Sequence, residues 1–214
     1  MKIESYKTEK LKVEKDLNEM TKKSDLISWI RVALFILIMG LLSYGYFKKI
    51  DIFYAFVAVL TIIFFVIVKL HSDIELKIKY KKSKIQVYQK YIKRLNGTWY
   101  DFKDKGTEYL DENMPYLKDL DIFGEGSLYQ YICSANTIYG KKSLVKHLKQ
   151  NDYNLDYIIK HQEAVKELSN MQDFANEIET LSYLTKENKK KNINKEIKKF
   201  IEVCEDKTPN QVKL

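Results

Sequence analysis

The chain has 214 residues, of which 37 are basic and 29 acidic, giving a formal net charge of +8. Only 7 Gly and 2 Pro are present, too few turn residues for an all-β fold, and two cysteines outside any CxxC or Cys/His cluster give no support to a disulfide framework or a structural zinc site. Mean hydropathy is −0.37 although 45% of residues are hydrophobic, so the apolar residues are concentrated in one region. The basic balance points toward anionic partners, but the lysines are mostly interleaved with glutamates, as on solvated helix faces.

Over residues 1–25, Ile3, Tyr6, Val13, Leu17 and Met20 recur at three- and four-residue spacings, with Lys10 interrupting. That spacing predicts a cytosolic amphipathic helix with a narrow apolar stripe. Residues 26–70 then hold two uncharged runs, Val32 to Phe47 and Ile52 to Val68, the first extending back through Leu26 if Arg31 snorkels. About 20 mainly apolar residues cross a bilayer as a helix. Only Lys48 to Asp51 separate the runs, so they fold back as a transmembrane hairpin. Trp29, Tyr44, Tyr46, Phe47, Phe53 and Tyr54 sit at the ends, where interfacial aromatics belong.

The competing reading, a buried core hairpin of a soluble domain, needs an apolar shell that the charged remainder does not supply. A cleaved signal peptide does not fit either, because the first run starts late and no small-residue cleavage site follows. Lys22, Lys23 and Arg31 precede the hairpin, and Lys69, Lys77, Lys79, Lys81, Lys82 and Lys84 follow it, against Lys48 and Lys49 at the tip. Positive flanks stay inside, so the expectation is a multi-pass protein of the cell membrane with both termini cytoplasmic.

Residues 71–95 repeat the helical spacing at Ile74, Ile78, Ile85, Tyr88, Ile92 and Leu95, with Lys81 interrupting. Zipped against the first helix, this segment makes a coiled-coil stalk; the alternative lays it on anionic lipid. Asn96 and Gly97 end it, and residues 96–115 form a polar, aromatic-spotted connection closed by Pro115. Over 116–204 the spacing predicts helices at 127–133, 137–149, 155–169, 171–185 and 193–204, with Thr137 and Asn154 as N-caps. Lys186 to Asn192 read as a solvated linker, and 205–214 as a tail.

Three blocks in this last region carry a resemblance: Asp119 to Tyr129 (DLDIFGEGSLY), Asn136 to Leu144 (NTIYGKKSL) and Ile158 to Leu168 (IIKHQEAVKEL). In this order, behind a hairpin, they resemble the start of the core, or lever, region of the MutS family of DNA mismatch-repair ATPases, and especially its membrane-anchored MutS-like members. The resemblance covers about residues 115–185. Two departures stand out: His161 and Lys142 occupy positions where the family usually has arginine.

The residues themselves have packing readings. Gly124 and Gly126 permit a turn that launches a helix capped by Ser127, and Gly140 lets a neighbouring helix approach closely. Ile158, Val165 and Leu168 fall on one face of their helix and are expected to be buried. The ATPase half is missing. Gly140-Lys141-Lys142-Ser143 is the only string near a P-loop, with Ala135 where the first glycine belongs and Lys142 where Ser or Thr belongs. Phe123-Gly124-Glu125 mimics a mismatch-reading Phe-x-Glu but lies in the core block, without the domain that carries the real motif.

The sequence thus predicts an all-α, membrane-anchored, MutS-like chain of hairpin, stalk and opening lever helices, a truncated product or a piece of a longer protein. Its role is tethering and relay. No catalytic, cofactor-binding or metal-binding residues are assigned, and His71, His147 and His161 read as scattered. The expected partners are the lipid bilayer, a second copy of the chain, and DNA or anionic lipid through Lys79–Lys84 and Lys189–Lys199. ATP is expected only of a longer form. A membrane adaptor for a partner protein is the alternative.

Overall fold

The computed structural model describes residues 2–48, 52–149 and 154–187. The described chain is all-helical: α1 (Lys2–Lys48), α2 (Ile52–Leu95), α3 (Tyr116–Asp119), α4 (Leu128–Ile132), α5 (Ile138–Lys149), α6 (Leu155–Ser169) and α7 (Gln172–Glu187). Among the described residues there is no strand. The expected helix at 193–204, the lysines at 189–199, the hairpin tip at 49–51 and the tail lie outside the described residues. The chain divides into two compact units, Glu9–Lys82 and the remainder.

The first unit is a two-helix hairpin. The amphipathic and apolar stretches of α1 form one unbroken helix, as do those of α2. Every position at 10, 13, 17, 20, 24, 27, 31, 34, 38, 41 and 45 of α1 is at least partly buried, as is each at 57, 60, 64, 67, 71, 74, 78 and 81 of α2. Three-then-four spacing is a 3.5-residue period, the seam of an antiparallel coiled coil. Lys10 and Lys81 tolerate seam positions because each snorkels to a carboxylate, Glu14 at 3.3 Å and Asp16 at 2.8 Å.

One polar rank interrupts the seam. His71 is buried, with Ser24 Oγ 3.5 Å from Nδ1 and Ser28 Oγ 2.9 Å from Nε2. An imidazole with one N–H donates to one serine oxygen and accepts the other hydroxyl, so the rank is satisfied across the two helices. Away from the seam, Phe35, Ile36, Met39, Phe56, Ile62 and Phe65 are more than half exposed. Only 6% and 11% of the most apolar windows of α1 and α2 are buried.

The second unit gathers around Leu117, Phe123, Tyr129 and Cys133, with Met114, Ile122, Leu144 and Leu148 packed against them. The connection at 96–115 is ordered by two 3-10 turns, Trp99–Asp101 and Thr107–Tyr109. Gln130, 1% exposed, explains why. Its Nε2 donates to the carbonyls of Tyr100 (3.0 Å) and Phe102 (2.7 Å), and its Oε1 accepts from the Gly126 N–H (2.8 Å). One buried amide therefore satisfies three backbone groups of loops that no helix ladder could serve.

Gly124 and Gly126 have φ of +118° and +71°, and the loop they shape delivers Ser127, whose Oγ accepts from the Gln130 N–H to cap α4. Asn154 caps α6 in the same way through the Tyr157 N–H.

Two packing expectations fail. Ile158, Val165 and Leu168 do share a face of α6, but they are 37%, 56% and 51% exposed, and α6 has no buried residue. Gly140 is not a helix-approach point. A Cβ there would meet Ala135 Cβ and Thr137 Oγ1 at 3.1 Å, so the crowding comes from the turn that starts its own helix.

Candidate functional site: a buried ionic junction

The last turns of α2 carry Lys90, Tyr91 and Arg94. Spacings of four from Lys90 to Arg94 and three from Tyr91 to Arg94 put the three on one side of the helix. On α7, Asn176, Glu179, Thr180 and Tyr183 follow the same rule, and the first three are buried. The junction forms where these two stripes meet.

Glu179 is the unusual member. It is 4% exposed, and neither carboxylate oxygen has a hydrogen-bond partner. Its charge is answered by Lys90, with Nζ 3.7 Å from Oε1. The ammonium also lies 5.3 Å from the centre of the Tyr183 ring and 6.0 Å from that of Phe102. These aromatic faces supply negative quadrupole where water is excluded.

Burial pushes the Glu179 carboxyl above the usual carboxylate range, and the nearby Lys90 and Arg94 charges oppose the shift. Burial likewise lowers Lys90, opposed by Glu179. Tyr91 is pushed up to about 12, by burial first and by the Glu179 charge second.

Arg94 ties the junction to the rest of the unit. Its Nε donates to the Tyr131 carbonyl (2.8 Å) and its Nη2 to the Cys133 carbonyl (2.9 Å), groups that the end of the short α4 leaves unpaired. The same guanidinium lies over Tyr91 and Phe102, 5.5 Å from each ring centre. Tyr6 closes another side by stacking on Tyr91, 5.2 Å away at an interplanar angle of 4°. On α7, Ser182 Oγ accepts from Asn136 Nδ2 (2.9 Å) and so holds the turn before α5.

The junction is thus a charged clamp on the final turns of α2. Its Asn176 also lines a cavity of about 430 Å³ together with Lys84, Tyr88, Met171, Phe174 and Glu177. By sequence alone these carboxylates and lysines read as helix-surface partners; the signal for the junction is the pairing of Lys90 and Arg94 with aromatic neighbours at helical spacing.

The residues singled out from the sequence go elsewhere. Lys141, the lysine of the P-loop-like string, is paired with Asp104, so its ammonium is engaged by a carboxylate. Phe123 is 3% exposed within the core cluster. Of the basic run on α2, Lys79 and Lys82 are exposed, Lys81 pairs with Asp16, and Lys84 lies 5.9 Å from the Tyr88 ring centre. His71 joins the two hairpin helices, while His147 and His161 stack on one another with ring centres 5.3 Å apart.

The chain matches no protein-family model, no curated protein and no solved structure. Among the described residues, no three His, Cys, Asp or Glu side chains converge as a metal cluster.

Proposed function

We propose that this chain is a membrane-anchored tether, in which the hairpin of α1 and α2 crosses the bilayer twice and the helical unit works on the cytoplasmic side. The observation that carries the reading is the exposure of the apolar windows, only 6% and 11% buried. A helix that is apolar and unburied places its side chains in hydrocarbon or leaves them costly in water. Trp29, Tyr46 and Phe47 are 74%, 75% and 80% exposed at the ends of the first window, in keeping with headgroup contact.

The helical unit is read as the opening part of a MutS-like lever region, which grips the end of α2 through the Lys90–Glu179–Arg94 junction. The order and spacing of the three sequence blocks support that reading. So do Phe123, Gly124, Gly126 and Ser127 of the first block, which serve as core, turn and cap, whereas the face of the third block is exposed. On this reading the chain has no chemistry of its own and transmits force or position between the bilayer and whatever the lever region serves.

Cysteine labelling tests the anchor. In a chain lacking Cys133 and Cys204, a cysteine at Ile50 is expected to react from outside intact cells and one at Asn113 only after permeabilisation. Release of the protein by carbonate washing, or the opposite labelling pattern, would refute it. The coding DNA beyond Leu214 tests the family. A strand-to-helix segment with G-x-x-x-x-G-K-[ST] supports it, and the absence of that motif in every frame rejects it.

The exposed face of α6, with Leu155 at 72% and Val165 at 56%, favours the second reading, a membrane adaptor that docks a partner protein on the helical unit.

A further inference from the structure

We propose that His147 and His161 form a two-imidazole site for a divalent late transition metal ion, with Cu²⁺ bound most tightly. The residues lie on α5 and α6, away from the junction. His147 is already held as a metal ligand needs to be. Its Nδ1 is 2.7 Å from the Ser143 carbonyl oxygen, which can only accept, so the proton sits on Nδ1 and the lone pair on Nε2. An imidazole whose far nitrogen donates to a backbone carbonyl has its tautomer and ring orientation fixed for coordination.

The Nε2 lone pair faces Tyr157, whose hydroxyl donates to it at 2.9 Å. Tyr157 and His161 are four residues apart on α6 and so share a face. Accordingly the His161 ring stacks on Tyr157 (5.8 Å, 12°) and on His147 (5.3 Å, 22°).

A metal ion bound at about 2.0 Å to each nitrogen holds neighbouring ligand nitrogens roughly 3 Å apart. Two ring centres 5.3 Å apart come within that reach when the exposed His161 ring turns about its side-chain bonds. Lys160 beside it is neutralised by Asp156 at 2.9 Å. A pair of imidazoles with neither thiolate nor carboxylate follows the general order of divalent affinities, in which Cu²⁺ stands above Ni²⁺ and Zn²⁺. Binding replaces two water ligands of the ion with imidazole nitrogens and breaks the Tyr157 hydrogen bond. Nothing is oxidised or reduced, and water keeps the remaining positions.

The test is titration of the full-length, tag-free chain in detergent micelles with Cu²⁺ alone, followed by electron paramagnetic resonance. One ion per chain with splitting from two nitrogens is expected. His147→Gln and His161→Gln should each weaken binding roughly tenfold or more and leave one coupled nitrogen. Tyr157→Phe should retain or tighten binding, because the competing hydroxyl is gone. His161 is exposed, so His161→Gln should keep the helical circular dichroism and separates loss of the site from loss of the fold. A wild-type spectrum without two coupled nitrogens, or a two-nitrogen signal that survives His161→Gln, would overturn the proposal.

Discussion

Replacing Lys90 with Met leaves the Glu179 carboxylate in a site that is 4% exposed and without hydrogen-bond partners. At 3.7 Å, the lost attraction is about 4.5 kcal/mol at an effective dielectric of about 20. Lys90 retains some water contact and the neighbouring Arg94 keeps part of the compensation, so the expected loss is about 3–5 kcal/mol, the range for breaking one side of a buried pair. The double variant Lys90→Met/Glu179→Leu removes both desolvation penalties and should fall within about 1 kcal/mol of wild type, or above it. The two substitutions are therefore strongly non-additive.

The loss in Lys90→Met should also depend on pH. The folded carboxyl already titrates above its unfolded value, so ionisation costs the fold stability at pH above the folded value, and that cost fades as pH falls toward the ordinary carboxylate range. Without Lys90 the folded value rises further, so the variant should recover relative to wild type as the pH is lowered toward the ordinary carboxylate range. Guanidinium unfolding in micelles, followed by Trp99 fluorescence in a Trp29→Phe background, reads these differences. Single-variant losses below about 1 kcal/mol, or additive losses in the double variant, would show that the junction does not clamp α2.

Gly106→Ala places a Cβ 2.6 Å from the fully buried Tyr129 ring at a φ of +66°, and should lower stability by about 2 kcal/mol or more, seen as a lower guanidinium midpoint at unchanged slope. Ser28→Ala removes the shorter bond to His71 and should destabilise the hairpin by about 1 kcal/mol in thermal melts, whereas an unchanged melt would make the polar rank incidental. Lys141→Ala should cost up to about 1 kcal/mol through loss of the Asp104 pair; micromolar ATP binding by the wild type that this substitution abolishes would reverse the reading of Gly140 to Ser143.

Much of the fold was legible because local signals stood alone. Ser127 and Asn154 could satisfy helix N-termini from within their own segments, and α4 and α6 begin one residue after them. The hairpin needed only run length and charge placement. What escaped depended on groups distant in sequence. Gln130 looked like an ordinary polar helix residue, yet it orders the connection through Tyr100 and Phe102. Glu179 could not be told from solvated glutamates, because its burial is set by Lys90 and Tyr183 arriving from elsewhere. The apolar stripe of α6 was read correctly as a face, but periodicity does not say what covers a face, and its residues are exposed.

The unbroken 3.5-residue seam also divides the hairpin's positions into two kinds. On outward faces such as Phe35, Ile62 and Phe65, shape is nearly irrelevant, and one large apolar residue substitutes for another as long as it is greasy. Along the seam, and most of all at Ser24, Ser28 and His71, identity matters, because a slip of one heptad would set the imidazole opposite Leu17 and Thr21, or Arg31 and Phe35, in place of the two serines that hold it. Random change in this segment should therefore accumulate on the outward faces and spare a single stripe. Helix pairs that merely float side by side in a bilayer would not keep that pattern.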